Sequence, residues 1–482
     1  MNKTWDNLFI CFSGGLVFYY LFYDKVPGIS YPLFTIFVYG LFYIRVPRKE
    51  GKSNWFEKLL LTAVLLLSAT FALYNDFVLL FLNFLLVPFL MFVHMTFSRR
   101  WHGVKWRNHL FAKVMFKTFA ETVSCFFTIH RFVRQLGKGL IKEEKINTVK
   151  KMMIGLIISI PLLWTIMSLL MSSDEHFRLF VGKLPGQLFD ENISNIIVQA
   201  GVIIFVSLLL FAFFITLGKP LVIRDEAIEF DPVKVDIIIA STVLLLLNFV
   251  YFLYIAVQFT YFFHGDPSSS SLQYTYAEYA RRGFTELTIV SLINLSILFF
   301  LTHAGTYKNT NLPAFIKLLL SVLVTFTFVM LTSAFHRLSL YEKAFGYTYS
   351  RVFAHAFMIL LFILLLLAIF KVFKRKFKLL RAMFVVSLAA YVIVNYLNID
   401  KLIVVKNLER YEETGRLDKN YLSTLSSDAI PTLIRYDNDD IHQLLKEKAS
   451  EMRSISDGWQ SYNYSQVKAK RLLEKWNRSE NE

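Results

Sequence analysis

The chain is poor in charged side chains and in cysteine, and each shortage excludes a class of protein. Charged residues make up 18% of the 482 residues, whereas hydrophobic residues make up 55% and phenylalanine alone occurs 49 times. A water-soluble chain of this length needs far more polar surface, so the composition indicates that lipid surrounds most of the protein. The same composition excludes a disordered chain and a coiled-coil rod.

The two cysteines, Cys11 and Cys125, lie in segments that we expect to occupy different environments. A structural disulfide or an all-cysteine metal site is therefore not expected. Catalytic signatures are missing from the sequence as well, since it has no Gly-x-Ser-x-Gly elbow, no His-Glu-x-x-His zinc motif and no P-loop. We accordingly predict no catalytic residues, no metal ligands and no cofactor.

Long apolar runs occupy most of the chain. A helix crosses the hydrocarbon core of a bilayer with about 20 mostly apolar residues. The runs therefore predict an all-α, polytopic bundle of about eleven membrane-spanning helices. Their approximate ranges are 8–23, 30–45, 57–74, 77–97, 152–171, 195–217, 237–259, 283–303, 314–334, 352–370 and 382–398.

The orientation follows from the basic residues between these runs. The net charge is +16, and the segments 45–58, 98–151 and 371–381 are rich in Lys and Arg, whereas 172–194 has more acidic than basic residues. With about eleven spans, the three basic segments lie on one side of the membrane and the acidic segment on the other. Because basic loops stay in the cytoplasm, we predict a cytoplasmic N-terminus and an external C-terminus. The basic face is expected to contact anionic lipid head groups, not nucleic acid.

Two regions outside the predicted spans are distinctive. In residues 109–136 apolar side chains recur at helical spacing, and charged, mostly basic, side chains lie between them. This pattern predicts one or two amphipathic helices on the cytoplasmic leaflet. These helices can be a connector packed beneath the bundle or a docking platform for a partner protein. The polar tail predicts a small, mostly helical, external appendage. The predicted regions are therefore a four-span region at 1–97, a basic region at 98–151, a seven-span region at 152–399 and a tail at 400–482.

The centres of the predicted spans are nearly free of charge. Their polar groups are amides and hydroxyls, and the amides include Asn248, Asn294 and Asn395. We interpret these amides as hydrogen-bonding groups between helices. A pump with a carboxylate relay inside the membrane is therefore disfavoured.

Charged and aromatic residues collect at two predicted external helix ends, 274–286 and 336–355. In the first stretch Glu278, Arg282 and Glu286 are spaced four residues apart and share one helix face. We expect the two stretches to be adjacent, because a half-buried charge near the interface is costly unless it is paired. The candidate ligand-binding residues are Tyr276, Glu278, Arg281, Arg282, Glu286, Arg337, Tyr341, Arg351 and His355.

This candidate site has two interpretations. In the structural one, the charges pair across helices and fix the packing of an external cap, while the tyrosines form an interfacial belt. In the functional one, the side chains line an external pocket for a polar or anionic ligand such as a lipid head group. Arginine suits that role because its forked donors match phosphate and carboxylate.

Several motifs of the second half occur together and in a fixed order. They are Tyr276-Ala-Glu-Tyr-Ala-Arg-Arg-Gly-Phe284 with Glu286, Arg337-Leu-Ser-Leu-Tyr341, Ala344-Phe-Gly-Tyr-Thr348, Asn407-Leu-Glu-Arg-Tyr411, Leu425-Ser-Ser-Asp-Ala-Ile-Pro431 and Trp459-Gln-Ser-Tyr-Asn463. In these motifs the chain resembles the domain-of-unknown-function 4173 family of uncharacterised bacterial membrane proteins, over about residues 235–470. The resemblance implies a multi-pass protein of the bacterial plasma membrane and brings no reaction, substrate or cofactor with it.

Three functional classes fit the sequence. The basic amphipathic region and the tail favour a non-enzymatic envelope or signalling protein, or a transport accessory, with another membrane protein as partner. The polar external cluster supports a transporter of a lipid or a small polar or anionic molecule, which the apolar span centres oppose. An enzyme acting on an external lipid or wall precursor has Glu278 and Glu286 as available bases but no visible activated nucleophile.

Overall fold

Helices form the regular structure of the protein in the computed structural model. It describes residues 2–46, 55–100, 108–136, scattered positions between 155 and 177, 191–219, 236–264, 283–303, 312–374, 376–436, 438–453 and 458–479, and these residues contain no strand. The predicted all-α membrane bundle is confirmed. Its long helices are α1 (Asn2–Phe22), α2 (Ser30–Arg45), α3 (Trp55–Leu73), α4 (Phe77–Arg100), α5 (Asn108–Leu136), α6 (Glu191–Gly218), α7 (Ile237–His264), α8 (Phe284–His303), α9 (Ala314–Phe345), α10 (Tyr349–Phe373) and α11 (Leu379–Tyr396).

The predicted spans match these helices closely. Within the described residues, eight helices are long and apolar enough to cross a membrane, namely α3, α4 and α6 to α11. Helix α1 contains a shorter apolar stretch, Asn7–Phe22, and α2 coincides with the predicted span 30–45. The predicted span 152–171 lies mostly outside the described residues. The count of about eleven spans and the orientation therefore stay predictions.

The first of two compact units comprises Met1–Ala72, Phe84–Val222 and Asp457–Tyr462. In this unit α1 packs against α2 and α6. Helices α1 and α6 approach closely at Gly15, where an added Cβ would overlap Ser207 Oγ and the carbonyl oxygen of Ile203. Small residues allow membrane helices to come this close, so the Gly15 position fixes the α1–α6 contact.

The predicted amphipathic region forms one helix, α5, which packs against α6. The Phe126 ring of α5 lies 5.8 Å from the Phe205 ring of α6, centroid to centroid. Arg100, at the end of α4, donates to Thr118 Oγ1 at 3.1 Å and to Glu121 Oε2 at 2.7 Å on α5. Because Phe205 lies near the middle of a predicted span, α5 packs along α6 and not only against its end. The position of α5 on the cytoplasmic leaflet, its connector interpretation and its docking interpretation all stay predictions.

The second compact unit comprises Leu73–Asn83, Ile223–Ser456 and Asn463–Glu482. Helix α9 packs against α7, α8 and α10, and α10 also packs against α8 and α11. Their shared core includes Leu244, Leu298, Leu320 and Leu365, none of which is exposed. Each of the two units combines segments from distant parts of the chain, whereas the four predicted regions are continuous segments. The two divisions therefore describe different things, and the four regions stay a prediction.

Helix α9 is longer than its apolar run. It contains 32 residues, which corresponds to about 48 Å, whereas the hydrocarbon core is about 30 Å thick. The helix therefore continues past the predicted span for several turns and carries the charged residues from His336 onward. It ends at Gly346, whose φ of 85° is left-handed, and α10 begins three residues later.

The tail forms the helical appendage that its polar composition predicts. Its buried core includes Ile403, Leu408 and Leu445, and Leu79 from the start of α4 joins it. Single 3-10 turns occur at Ser427–Ala429 and Trp459–Ser461. The helices of the appendage are α12 (Ile399–Thr414), α13 (Lys419–Ser423), α14 (Ile430–Leu433), α15 (Asp439–Arg453) and α16 (Tyr464–Ser479).

Candidate functional site

Glu278, Arg282 and Glu286 form the predicted ladder of acidic and basic side chains, and the structure describes only part of it. Tyr276, Glu278, Arg281 and Arg282 lie outside the described residues. Glu286 is exposed in the first turn of α8, and its carboxylate accepts a hydrogen bond from the backbone N–H of Gly283 at 2.9 Å. A carboxylate in the first turn stabilises a helix because it satisfies a free N–H and complements the helix dipole. The ligand-binding prediction for this ladder stays a prediction.

Arg337 lies beside the start of α8. Gly283 has a φ of 102°, and a Cβ added to it would overlap the guanidinium of Arg337 on α9. The left-handed backbone therefore favours glycine at this position, and an added Cβ would in addition displace the Arg337 guanidinium. The start of α8 and the extension of α9 are adjacent here, as expected for two stretches that share one side of the membrane.

Arg351 caps the end of α9. Its guanidinium lies 4.3 Å from the centre of the Tyr341 ring and donates to the carbonyl oxygens of Phe345, at 3.1 Å, and Gly346. The last carbonyls of a helix have no partner within the helix, so a basic side chain that reaches them stabilises its end. Arg351 and Tyr341 thus share a structural arrangement at the α9–α10 turn.

His355 joins α10 to α9. Its Nδ1 lies 3.1 Å from Oε1 of Glu342, which is buried, and its Nε2 lies 3.2 Å from Ser339 Oγ. The imidazole also meets the Phe335 ring edge to face at 4.3 Å. Both ring nitrogens therefore have partners on α9, and the pair with Glu342 gives that buried carboxylate a hydrogen-bond partner.

The α9–α10 turn is clamped by α12. The side-chain amide of Asn407 accepts from Tyr347 N–H and donates to Tyr347 C=O, each at 2.9 Å. Arg410, one turn further along α12, donates to Ala344 C=O at 3.2 Å. Gly346 lies so close that an added Cβ would be 2.5 Å from Asn407 Oδ1. Two sequence motifs that are about 60 residues apart, one at 344–348 and one at 407–411, thus form a single tertiary contact.

Buried carboxylates beneath the appendage form a second cluster, which the sequence did not reveal. Asp400, at the start of α12, accepts hydrogen bonds from the hydroxyls of Tyr349 and Ser426. Asp428, in the 3-10 turn, accepts from the backbone N–H of Asn75 at 2.8 Å. Asp76 caps the start of α4 by accepting from Leu79 N–H at 3.1 Å. We call these three aspartates, Asp76, Asp400 and Asp428, the junction carboxylates.

Burial disfavours the ionised forms of all three junction carboxylates, and neighbouring carboxylates add to this at Asp76 and Asp428. Burial, together with the charges of Asp400 and Asp428, raises the pKa of Asp76 to about 6, against the opposing hydrogen bond from Leu79 N–H. Burial also raises the pKa of Asp400 and of Asp428, although hydrogen bonds from serine hydroxyls oppose both shifts. The ammonium of Lys448 is half-buried near Asp400, and burial lowers its pKa.

The short loop between α3 and α4 holds the appendage at this cluster. Asn463 Nδ2 donates to Tyr74 C=O at 2.6 Å, and Gln466 Nε2 donates to Asn75 Oδ1 at 3.2 Å. From sequence, Asn75 and Asp76 indicate only a tight turn between two spans. Their partners lie more than 300 residues away, so no local pattern could predict the contact.

The three span amides form hydrogen bonds between helices, which confirms their predicted role, although Asn395 lies at the end of α11 and not at mid-span. Asn248 Nδ2 of α7 donates to Leu319 C=O of α9 at 3.0 Å. Asn294 of α8 donates to Thr327 Oγ1 of α9 at 2.9 Å. Asn395 of α11 accepts from Asn83 Nδ2 at 2.6 Å.

The first unit also contains a buried histidine that was not predicted from the sequence. The His94 side chain, on α4, is fully buried, and neither ring nitrogen has a hydrogen-bond partner among the described residues. Its ring lies 5.4 Å from that of Tyr39, whose hydroxyl likewise has no partner among those residues. Sequence position alone suggested an ordinary interfacial histidine.

Protonation and hydrogen bonding are the chemistry that these clusters offer. Within the described part of the chain, no group of three or more His, Cys, Asp or Glu residues is arranged to hold a metal ion. The carboxylates of the junction are occupied by hydroxyl and backbone donors, which suits a structural or proton-binding role.

Comparisons with known proteins give a family and no function. No curated protein and no solved structure matches the chain. A family model described as a domain of unknown function (DUF4153) matches residues 61–436. The match supports an uncharacterised family, as the motifs predicted, but not the number 4173 expected from them. With most of its length matched, this integral membrane protein belongs to the DUF4153 family.

Proposed function

We propose that this chain is a non-enzymatic, multi-pass component of a bacterial plasma membrane, which presents its appendage on the external side to another membrane protein. The partner would belong to an envelope-stress, signalling or transport assembly. The basic cytoplasmic face would contact anionic lipid head groups.

The observation that carries this proposal is the way the appendage is mounted. Asn407 and Asp400 of α12 contact the start of α10 and the turn before it, while Asp428 contacts the α3–α4 loop. An appendage fixed by buried polar groups at several helix ends holds its surface in a defined orientation. Such an arrangement favours docking, because a preordered surface loses little conformational entropy on binding.

Contacts within the candidate ligand site also favour a structural role. Arg351 donates to carbonyl groups and lies over the Tyr341 ring, and His355 contacts Glu342 and Ser339. These are the arginine and histidine that a ligand pocket would need to keep available.

Affinity purification of the tagged full chain after cross-linking in native membranes tests the proposal. Asn407→Ala removes the clamp on the α9–α10 turn, and Asn420→Ala, at an exposed position of α13, is the matched control. We expect one membrane protein to be enriched with the native chain and with Asn420→Ala, and to fall about fivefold or more with Asn407→Ala.

The same samples distinguish the other two classes. A lipid or small polar molecule that co-purifies in stoichiometric amount, with no protein enriched, would overturn the proposal in favour of a transporter. Turnover of an added lipid or wall precursor by the purified chain would overturn it in favour of an enzyme.

A further inference from the structure

Asp76 differs from the other junction carboxylates in how its oxygens are satisfied. Its side chain is buried, with 6% of its surface exposed. Oδ1 accepts from Leu79 N–H at 3.1 Å, and the backbone N–H of Val78 also favours the ionised carboxylate, whereas Oδ2 has no hydrogen-bond partner among the described residues. A buried, ionised carboxylate oxygen without a donor is strongly disfavoured, and protonation removes that penalty.

The surroundings of Asp76 supply little positive charge. Electrostatic interactions reach it from Asp400 at the start of α12 and from Asp428 in the 3-10 turn. The phenols of Tyr349, Tyr391 and Tyr421 also face it, from α10, α11 and α13. Lys448 of α15 interacts with Asp400 and donates to Leu425 C=O at 2.8 Å, and Arg351 of α10 interacts with Tyr421.

We propose that Asp76 is a proton-binding site that controls how tightly the α3–α4 loop holds the appendage. With a proton on Asp76, the three aspartates carry one negative charge fewer, and the neighbouring contact between Asn75 N–H and Asp428 is retained. With Asp76 ionised, like charges repel across the same contact and the junction opens more often.

The direction of the pH effect follows from the two states. In the closed junction the pKa of Asp76 is about 6, and in the opened, hydrated junction it returns towards the ordinary value of 3.8. Between these values the closed state binds more protons, so acid stabilises closure and the junction loosens as the pH rises through about 6. The open fraction should rise about tenfold between about pH 5 and about pH 7.5.

Hydrogen exchange of the full chain in lipid nanodiscs, expressed as protection factors, measures this opening. The reporters are the amides of Asn75 and Leu79, which donate to Asp428 and Asp76. We expect their protection to fall about tenfold from about pH 5 to about pH 7.5 in the native chain. Asp76→Asn should keep the helix cap and lose most of this change, with protection at high pH close to the native value in acid.

Asp418→Asn is the matched control, because Asp418 also caps a helix, by accepting from Tyr421 N–H at 3.0 Å, but is exposed. It should keep the full pH response. A native chain whose protection does not change with pH would overturn the proposal. So would an Asp76→Asn variant that keeps the native change, since the titrating group would then be Asp400 or Asp428.

Discussion

At the scale of single residues, the donors around a buried carboxylate decide what it does. Both oxygens of Asp400 accept from hydroxyl groups, and these hydrogen bonds oppose the upward shift that burial gives its pKa. Asp76 is equally buried but has one oxygen without a donor in the described residues. Two aspartates in one cluster are therefore suited to different tasks, the first to anchoring and the second to binding a proton.

His94, in the first unit, is likewise a buried side chain whose polar atoms have no partner among the described residues. A neutral imidazole needs one donor and one acceptor, and the described residues provide neither. Burying polar atoms without partners costs roughly 1–3 kcal/mol, and an apolar ring of similar size avoids that cost. We therefore expect His94→Phe to raise the thermal unfolding temperature in detergent by roughly 2–4 °C.

Tyr31→Phe is a control for that measurement, because the Tyr31 hydroxyl of α2 donates to Phe84 C=O at 3.3 Å. Its loss should leave the unfolding temperature unchanged or lower it. A lower temperature for His94→Phe would contradict the prediction and would indicate that a bound polar molecule satisfies the imidazole.

At the scale of helices, the α9–α10 turn depends on glycine. Gly346 combines a φ of 85° with an added-Cβ distance of 2.5 Å from Asn407 Oδ1. Gly415 at the end of α12 has a φ of 66° and open space around it. Alanine at Gly415 should therefore cost only the left-handed strain of roughly 1–2 kcal/mol, whereas alanine at Gly346 should cost roughly 2–4 kcal/mol because it also displaces Asn407.

Denaturant titration of the two variants in the same detergent gives the comparison. Equal losses of unfolding free energy would show that the Asn407 clamp contributes nothing. A further Asn407→Ala change in the Gly346→Ala background should cost less than it does in the native chain, because the clamp is already disturbed.

The sequence predicts helices well and tertiary contacts poorly, and α9 shows why. Its apolar run predicts the membrane-crossing part, since 20 apolar residues have few alternatives to a helix in lipid. The polar extension from His336 to Phe345 has no such constraint, and its end is held by tertiary contacts, from Arg351 to the carbonyls of Phe345 and Gly346 and from Arg410 to Ala344 C=O. The role of Asp76 also depends on contacts with distant parts of the chain, so the sequence shows this residue only as part of a turn.

At the scale of the whole molecule, composition and loop charge predict an integral membrane protein with a defined orientation. The predicted parity places the α3–α4 loop, the α9–α10 turn and the end of α11 on one side. In the second unit the α3–α4 loop and the α9–α10 turn meet the appendage through Asn75 and Tyr347, and the Tyr74 hydroxyl of the same loop donates to Tyr396 C=O at the end of α11 at 3.4 Å. These contacts place the three segments on one side, as the predicted parity does, and the orientation itself stays a prediction.

Cysteine labelling in intact cells tests the orientation. In a background with Cys11→Ala and Cys125→Ala, we expect Ser450→Cys, on an exposed position of the appendage, to react with a membrane-impermeant maleimide. Lys376→Cys, exposed between α10 and α11, should react only after the cells are opened. The reverse pattern would contradict the predicted external appendage.

The most direct test of the central claim, that buried polar contacts fix the appendage to the membrane helices, is a double-mutant cycle. Tyr349→Phe on α10 and Asp400→Ala on α12 each remove one partner of the same hydrogen bond, so their effects on unfolding free energy should not add. We expect a coupling of roughly 1–3 kcal/mol, and none between Tyr349→Phe and Asp418→Ala. Additive losses for the first pair, to within about 0.5 kcal/mol, would contradict the account.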